Sequence, residues 1–225
     1  MTTAALLAAP ALWATYTWGS HALTLGCRWR GERTGRKVAL TFDDGPDPET
    51  TPQVLDILET HGVQASFFLV GERAARQPSL ARRIAETGHD LGNHSWSHRS
   101  LWFAGPRRTA DEVRRGHEAI ARAARVPPRF FRPPWGLTNL ALFPALRRAG
   151  TPCVFWTVQT EGQRPASAAL QVERVRKRAS PGAILDLHDA DGVPGAGRRL
   201  VEALPSMIDA LRGEGYTLAP LRDLL

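Results

Sequence analysis

The stretch LTFDDGPDP, Leu40 to Pro48, ends an apolar run on two neighbouring carboxylates, Asp43 and Asp44, with Gly45 and Pro46 directly behind them. Strand interiors disfavour adjacent acids, and a Gly-Pro pair stops a strand. Both acids therefore sit at a strand end. Further on, NHSWSH carries His94 and His98. Two imidazoles four residues apart reach one ion from a helical turn or a tight loop. With one carboxylate they make a two-His-one-carboxylate face that leaves positions open for water and substrate. The histidine pair alone says little, because such spacing is common on surfaces. The acid pair gives it weight. One acid can ligate the ion while its neighbour takes a proton from a water that the ion acidifies. Capping or an Asx turn is the other use of an acid before Gly-Pro. That use suits Asp47, which stands nearer the helix that follows.

Two more segments add polar groups at strand ends. In FRPPWG, Arg132 precedes Pro133, Pro134, Trp135 and Gly136. A buried arginine can clamp a carboxylate through two N–H donors, and a rigid Pro-Pro turn can present the Trp135 N–H to a developing oxyanion. In LDLHD, His188 is placed to act as a general acid. Taken singly, Arg132 also reads as a structural ion pair and His188 as a core histidine with its hydrogen bonds met.

Alternating strands and helices position these groups. KVALTFD, ASFFLVG, HDLGNH, RFFRPP, CVFWTV, AILDLHD and YTLAPL read as strands. Helices are expected from Thr50 or Thr51 as cap to Gly62, over 72–87 with a break at Pro78, and over 109–124, 140–148, 168–178 and 198–212. Strands alternating with helices argue for a parallel sheet, and continuous apolar strands for one covered on both faces. Asp43, Asp44, His94, Arg132 and His188 all fall at C-terminal strand ends, the rim where barrels of this kind build their sites. No GxGxxG or GxxxxGK[ST] occurs, so dinucleotide and P-loop chemistry are unsupported.

TFDDGP, HSWSH, RPPWG and the LHD strand, in that order, resemble the motif set of the polysaccharide deacetylases of the NodB-homology, carbohydrate esterase family 4 type. The resemblance covers roughly 37–225. It implies a distorted (β/α)7 barrel and metal-dependent removal of N-acetyl groups from amino sugars in a glycan such as peptidoglycan or a chitin-like oligosaccharide. It implies Asp43 as the general base, and Asp44, His94 and His98 as ligands of a divalent metal, with Zn²⁺ the default and Co²⁺ an alternative. Arg132 would hold Asp43, Trp135 would line the site and lend its N–H, and His188 would protonate the departing amine. Pro134, Trp156 and Leu187 are further substrate-side candidates.

Two positions depart from the family pattern. A D-x-x-D-W motif usually follows a strand tryptophan, and its first acid tunes the catalytic histidine. Here the segment is WTVQTEGQ: Gln159 stands in place of that acid, and Gly162 and Gln163 replace the last pair. The last motif usually reads L-x-H, and here its leucine is Asp186. Residues two apart on a strand share a face, so Asp186 points with His188. Two consequences are expected. Either Asp186 supplies the charge that Gln159 lacks, or it spoils the acetyl-methyl pocket and favours a smaller or more polar acyl group, as in a deformylase acting on a lipid-linked or small amino sugar. Glu161 is another acid close by. A binding homologue without turnover is the third reading, opposed by the complete set of acids, histidines and arginine.

The chain has 225 residues and a formal charge of +7, and Lys37 and Lys177 are the only lysines. The arginines are scattered over helices with no basic stripe or nucleic-acid motif, so nucleic acid is not an expected partner. Cys27 and Cys153 do not make a disulfide framework. Residues 1–27 contain no Asp, Glu, Lys or Arg, and a basic linker, 28–36, separates them from a catalytic domain, 37–225. The apolar segment reads either as a membrane anchor or uncleaved signal, or as a stretch packed on the domain or on a membrane surface. The arginines after it would hold the domain on the cytoplasmic side by the positive-inside rule. The expected location is the cell envelope, membrane-associated or exported, with orientation open.

Overall fold

In the computed structural model of the chain, the structure describes residues 12–19, 26–162 and 164–225. Most of the apolar N-terminal stretch, and Gln163, lie outside the described residues.

The described strands are β1 (Cys27–Arg28), β2 (Lys37–Asp43), β3 (Ser66–Leu69), β4 (Asp90–Asn93), β5 (Phe130–Phe131), β6 (Cys153–Val154), β7 (Val158–Gln159), β8 (Ile184–His188) and β9 (Thr217–Leu218). Every pairing is parallel, and the order runs β1-β6-β5-β4-β3-β2-β8-β7, with β9 added to β2. The expected strand CVFWTV forms as two pieces. Its first piece, β6, pairs with β5 and its second, β7, with β8. The ladder thus returns on itself through one broken stretch of chain, and the sheet curls into the distorted (β/α)7 barrel.

Helices α1 (Thr50–Thr60), α2 (Gly71–Arg76), α3 (Pro78–Glu86), α4 (Pro106–Ala124), α5 (Leu142–Ala149), α6 (Ala168–Arg178) and α7 (Ala196–Gly213) cover the outside. The longest of them carry an apolar stripe at helical spacing. On α7 it is Leu200, Ala203, Leu204, Met207, Ile208 and Leu211, all buried against β2 and α1 neighbours such as Val38, Leu55 and Leu58. Burying one such aliphatic side chain contributes about 1.5–3 kcal/mol. The cap of α1 differs from expectation. Thr50 and Thr51 lie inside the helix, and Asp47 does the capping, its Oδ1 accepting from the N–H of Glu49 (2.9 Å) and Thr50 (3.0 Å). The threonine hydroxyls turn instead to Asp189.

Residues expected as a linker pack onto the barrel edge. β1 adds beside β6, with Cys27 opposite Cys153 as free thiols, and Trp29 stacks on Phe155 at 4.1 Å between ring centres. Gly31 donates to the Gly182 carbonyl at 2.9 Å. These contacts are long-range, so no local pattern announces them.

The barrel interior beneath the site is built on aromatic rings. Phe68 of β3 fills the space that a side chain at Gly92 of β4 would need: a Cβ there would lie 2.3 Å from Phe68 Cδ1. The glycine is what lets that ring sit inside the barrel, and Arg132 lies over it at 4.1 Å.

Candidate metal centre and active site

β2 ends by delivering two acids to one rim. Asp43 is its last residue, and Asp44 follows at φ 75°, in the left-handed region. That reversal lets side chains of consecutive residues face one cleft, where an extended chain would send them to opposite faces. The Gly45–Pro46 bond that follows is cis.

The histidines come from the loop after β4. It is a tight loop rather than a helical turn: Ser95 and His98 are both left-handed, at φ 68° and 56°. His94 Nδ1 lies 2.7 Å from the Arg132 carbonyl, which assigns the proton to Nδ1 and leaves the Nε2 lone pair for an ion. His98 Nε2 lies 2.8 Å from Asp44 Oδ1. The carboxylate of Asp44 and the two imidazoles bring ligand atoms within 4.8 Å of one another. Asp44 Oδ1 is buried, and its close approach to His98 Nε2 lacks hydrogen-bond geometry. Such an atom is costly to bury unless something positive meets it, so the donor set fits a divalent cation. Two nitrogens and a carboxylate oxygen suit zinc.

The charges suit that role. Burial works to raise the Asp44 carboxyl, but His98, His94 and His188 outweigh it and hold it well below the ordinary range. Burial pushes His94 down to about 4, so the ring is neutral and able to ligate at neutral pH.

Asp43 is held by Arg132, which is fully buried. Arg132 Nη1 donates to Asp43 Oδ1 at 2.8 Å and to Thr41 Oγ1 at 2.7 Å. Its Nε donates to the Val154 carbonyl at 3.2 Å and Nη2 to the Phe155 carbonyl at 3.0 Å. Those carbonyls lie where β6 breaks before β7, so the guanidinium fills the break in the ladder and orients the acid at once. One Asp43 oxygen is clamped, and the other faces the centre, 3.8 Å from His94 Nε2.

Register sets the far wall. Asp43 pairs with His188, and one layer deeper Thr41 pairs with Asp186, which pairs in turn with Gln159. Asp186 and His188 share a face, as strand alternation requires, and both line a cleft of about 560 Å³ with Asp43, Asp44, His94 and His98. Gln159 Nε2 donates to Asp186 Oδ2 at 3.3 Å, and Asp186 Oδ1 lies 3.6 Å from Arg132 Nη1. Burial pushes Asp186 up to about 7, helped by Asp43 and opposed by His188 and Arg132. Burial would lower His188, but Asp186, Asp44, Asp43 and Glu161 together raise it.

Trp135 and Trp156 also line the cleft. Trp135 is left-handed (φ 61°) in the Pro134–Gly136 turn and packs on His98 at 5.3 Å. Two candidates do not reach the cleft. Leu187 is on the opposite face of β8 from its neighbours and is fully buried in the core. Pro134 is buried beneath the turn, and Pro133 faces the cleft in its place.

Comparison with known proteins agrees with this geometry. A profile of the polysaccharide deacetylase family matches residues 30–154. A peptidoglycan-N-acetylglucosamine deacetylase of Listeria monocytogenes is 31% identical over 85% of this chain, which spans only 39% of that relative. The chain belongs to the polysaccharide deacetylase family. A chitooligosaccharide deacetylase of a Bradyrhizobium strain is 36% identical, covering 84% of this chain and 90% of the relative. A solved peptidoglycan N-acetylglucosamine deacetylase, in complex with an N-oxidanyl-benzamide, superposes with a TM-score of 0.84 at 33% identity, covering 94% of this chain and 97% of that one.

Within this polysaccharide deacetylase site, several contributors carry no motif. Glu112 on α4 is buried, and its carboxylate takes the N–H of Trp96 (3.1 Å) and Ser97 (2.9 Å) and the Ser97 hydroxyl (2.7 Å). It pins the loop that aims His98. Gly192 approaches Asp44 so closely that a Cβ would lie 2.1 Å from its Oδ2. Glu161 reaches the cleft rim and is held by Arg199 at 2.8 Å. No local sequence signal marks Glu112, because its partners are loop N–H groups fifteen and sixteen residues away.

Proposed function

We propose that the chain is a metal-dependent hydrolase that removes N-acetyl groups from amino sugars of a glycan, peptidoglycan or a chitin-like oligosaccharide. The observation that carries this is the division of labour between adjacent acids: Asp44 shares one ion-sized space with His94 and His98, while Asp43 is clamped by Arg132 on one oxygen and free on the other. A Zn²⁺ at Asp44, His94 and His98 supplies Lewis acidity toward water and the acyl carbonyl. Asp43 takes the proton of the attacking water through its free oxygen. The Trp135 N–H meets the oxyanion, and Trp156 bounds the sugar. His188, across the cleft and made more basic by the surrounding acids, delivers a proton to the leaving amine. When ionised, Asp186 favours the charged form of His188, the task that Gln159 cannot perform.

The names of the relatives support the glycan class, and a cell-envelope location follows from a peptidoglycan substrate. Among the described residues no helix is long and apolar enough to cross a membrane. We place membrane association, where it occurs, with the uncharged N-terminal stretch.

The test is release of free amine and acid from N-acetylated and N-formylated oligosaccharides and from peptidoglycan, with zinc, with chelator and with Asp43→Asn. Amine release that needs zinc and is abolished in D43N supports the reading. Zinc binding with no amine release from any of these glycans overturns it.

A further inference from the structure

A surface of exposed aromatic side chains adjoins the cleft and takes no part in it. Residues 12–19 are helical, ending in a π-helical turn at Thr15–Gly19. They pack on the loop after His98: Trp13 stacks on Phe103 (6.4 Å, 8° between planes), Trp18 meets Trp102 edge-on (5.3 Å), and Tyr16 donates to the Ala104 carbonyl at 2.9 Å. The Tyr16 carbonyl accepts from Leu140, on the loop that follows Trp135. The patch is thus tied to two of the loops that form the cleft rim. Leu12 is 71% exposed, Trp18 66% and Phe103 73%. Folded proteins rarely leave so much contiguous apolar surface to water without a partner.

We propose that this surface docks on an anionic lipid bilayer, with Trp18 and Phe103 entering the interface and arginines beside them meeting lipid headgroups. The inference deepens the membrane association proposed above. It does not depend on the deacetylase chemistry. Three observations favour lipid. Arg99, Arg107 and Arg108, on the loop and the first turn of α4 behind it, are exposed, and no carboxylate lies within 4.0 Å of them among the described residues. Unpaired guanidinium groups next to tryptophan and phenylalanine are the composition of an interfacial anchor. Residues 1–11, which contain no charged side chain, lead directly into the patch at Leu12. Finally, Trp13 and Phe103 turn ring faces to each other, and exposed Leu12 and Leu140 offer aliphatic surface. A sugar needs open ring faces, whereas acyl chains take edges and aliphatic groups equally. Docked this way, the cleft opens beside the bilayer, where it meets glycan close to the membrane or amino sugar carried on a lipid.

The experiment is co-flotation of the full chain with phosphatidylcholine vesicles, with and without a phosphatidylglycerol fraction, at low and high salt. Binding to the anionic vesicles is expected. Arg107→Gln with Arg108→Gln should weaken it about fivefold per arginine at low salt, and the loss should shrink as salt screens the charges. Trp18→Ala with Phe103→Ala should weaken it at every salt concentration. Phe103→Ser, a change at an exposed loop tip, guards against loss of packing by the N-terminal turn. All these variants should release amine from a soluble chitooligosaccharide at the wild-type rate. Failure to bind anionic vesicles, or binding that W18A/F103A leaves unchanged, overturns the proposal. So do variants that lose affinity for insoluble peptidoglycan while keeping vesicle binding, which would make the patch a glycan platform. A chain that floats with vesicles but releases no amine supports the docking and overturns only the catalytic reading.

Discussion

On the β2–β4–β5 side of the cleft, Asp43, Asp44, His94 and Arg132 are buried, and fixed partners hold three of them: Arg132 on Asp43, the Arg132 carbonyl on His94, and main-chain carbonyls on Arg132. On the β7–β8 side, Asp186 has one long hydrogen bond from Gln159 and a second oxygen with none, and His188 is only partly buried. The charges differ in the same way. Asp44 is held ionised and His94 neutral, the forms that ligate, while Asp186 is brought to about 7 and His188 is raised. One wall carries the candidate ion ligands Asp44 and His94, the first held ionised and the second neutral. The other holds Asp186 and His188, both raised, the pair we propose for proton delivery. The platform follows the family pattern, and the proton-handling wall is where this chain departs from it.

That contrast can be broken most severely at Asp44. Asp44→Asn should cost roughly 10³-fold or more in amine release, from lost charge stabilisation of several kcal/mol. It should also empty the zinc site by elemental analysis while leaving the fold intact. Retained zinc at wild-type stoichiometry would show that Asp44 is not a ligand.

Arg132→Met comes next. It leaves Asp43 buried without its cation and strips donors from the Val154 and Phe155 carbonyls. Breaking a buried pair from one side costs about 3–5 kcal/mol, read as a lower denaturant midpoint. Arg132→Lys should recover less than half of this, since an ammonium cannot span four acceptors across the break. A midpoint unchanged in R132M would remove the arginine from the account of the closed ladder.

On the other wall the effect is on pH dependence. Ionised Asp186 favours protonated His188, and His188 must be protonated to donate. Asp186→Asn should therefore lower the pH at which His188 loses its proton and move the basic limb of the rate profile to lower pH, with the acidic limb unmoved. A full-rate variant with an unmoved basic limb would falsify the tuning role.

The smallest effect sharpens the comparison most. Gln159→Asp alone sets two acids against each other and should reduce activity. Joined with Asp186→Leu it moves the charge back to β7, and the double variant should outperform both single ones. Additive losses in that cycle would show that the two positions do not share one task.

Much of the site was legible because its groups sit in short segments whose local chemistry is unusual. Adjacent acids before Gly-Pro, paired histidines, and an arginine before two prolines are each awkward for ordinary packing, and together they resemble one family. Elements were legible for a similar reason: the stripes of α1, α3 and α7 and the apolar strands are local patterns. What was missed is held by distant contacts. The split of CVFWTV follows from a guanidinium that arrives from β5. The role of Glu112 follows from a loop that α4 happens to pass. The place of Leu187 follows from strand alternation, which assigned Asp186 and His188 correctly and puts the residue between them in the core.

Sequence alone determined the types and order of the candidate site groups, the alternation of strand and helix, and the departure at Gln159 and Asp186, because these are properties of residues and their near neighbours. Tertiary structure decided which acid is clamped and which is left for an ion, that Asp186 stands within reach of both Gln159 and Arg132, and that residues 12–19 spread an aromatic surface beside the cleft. Those outcomes depend on register between strands far apart in the chain and on burial, which sets each group's charge only once the barrel has closed around it.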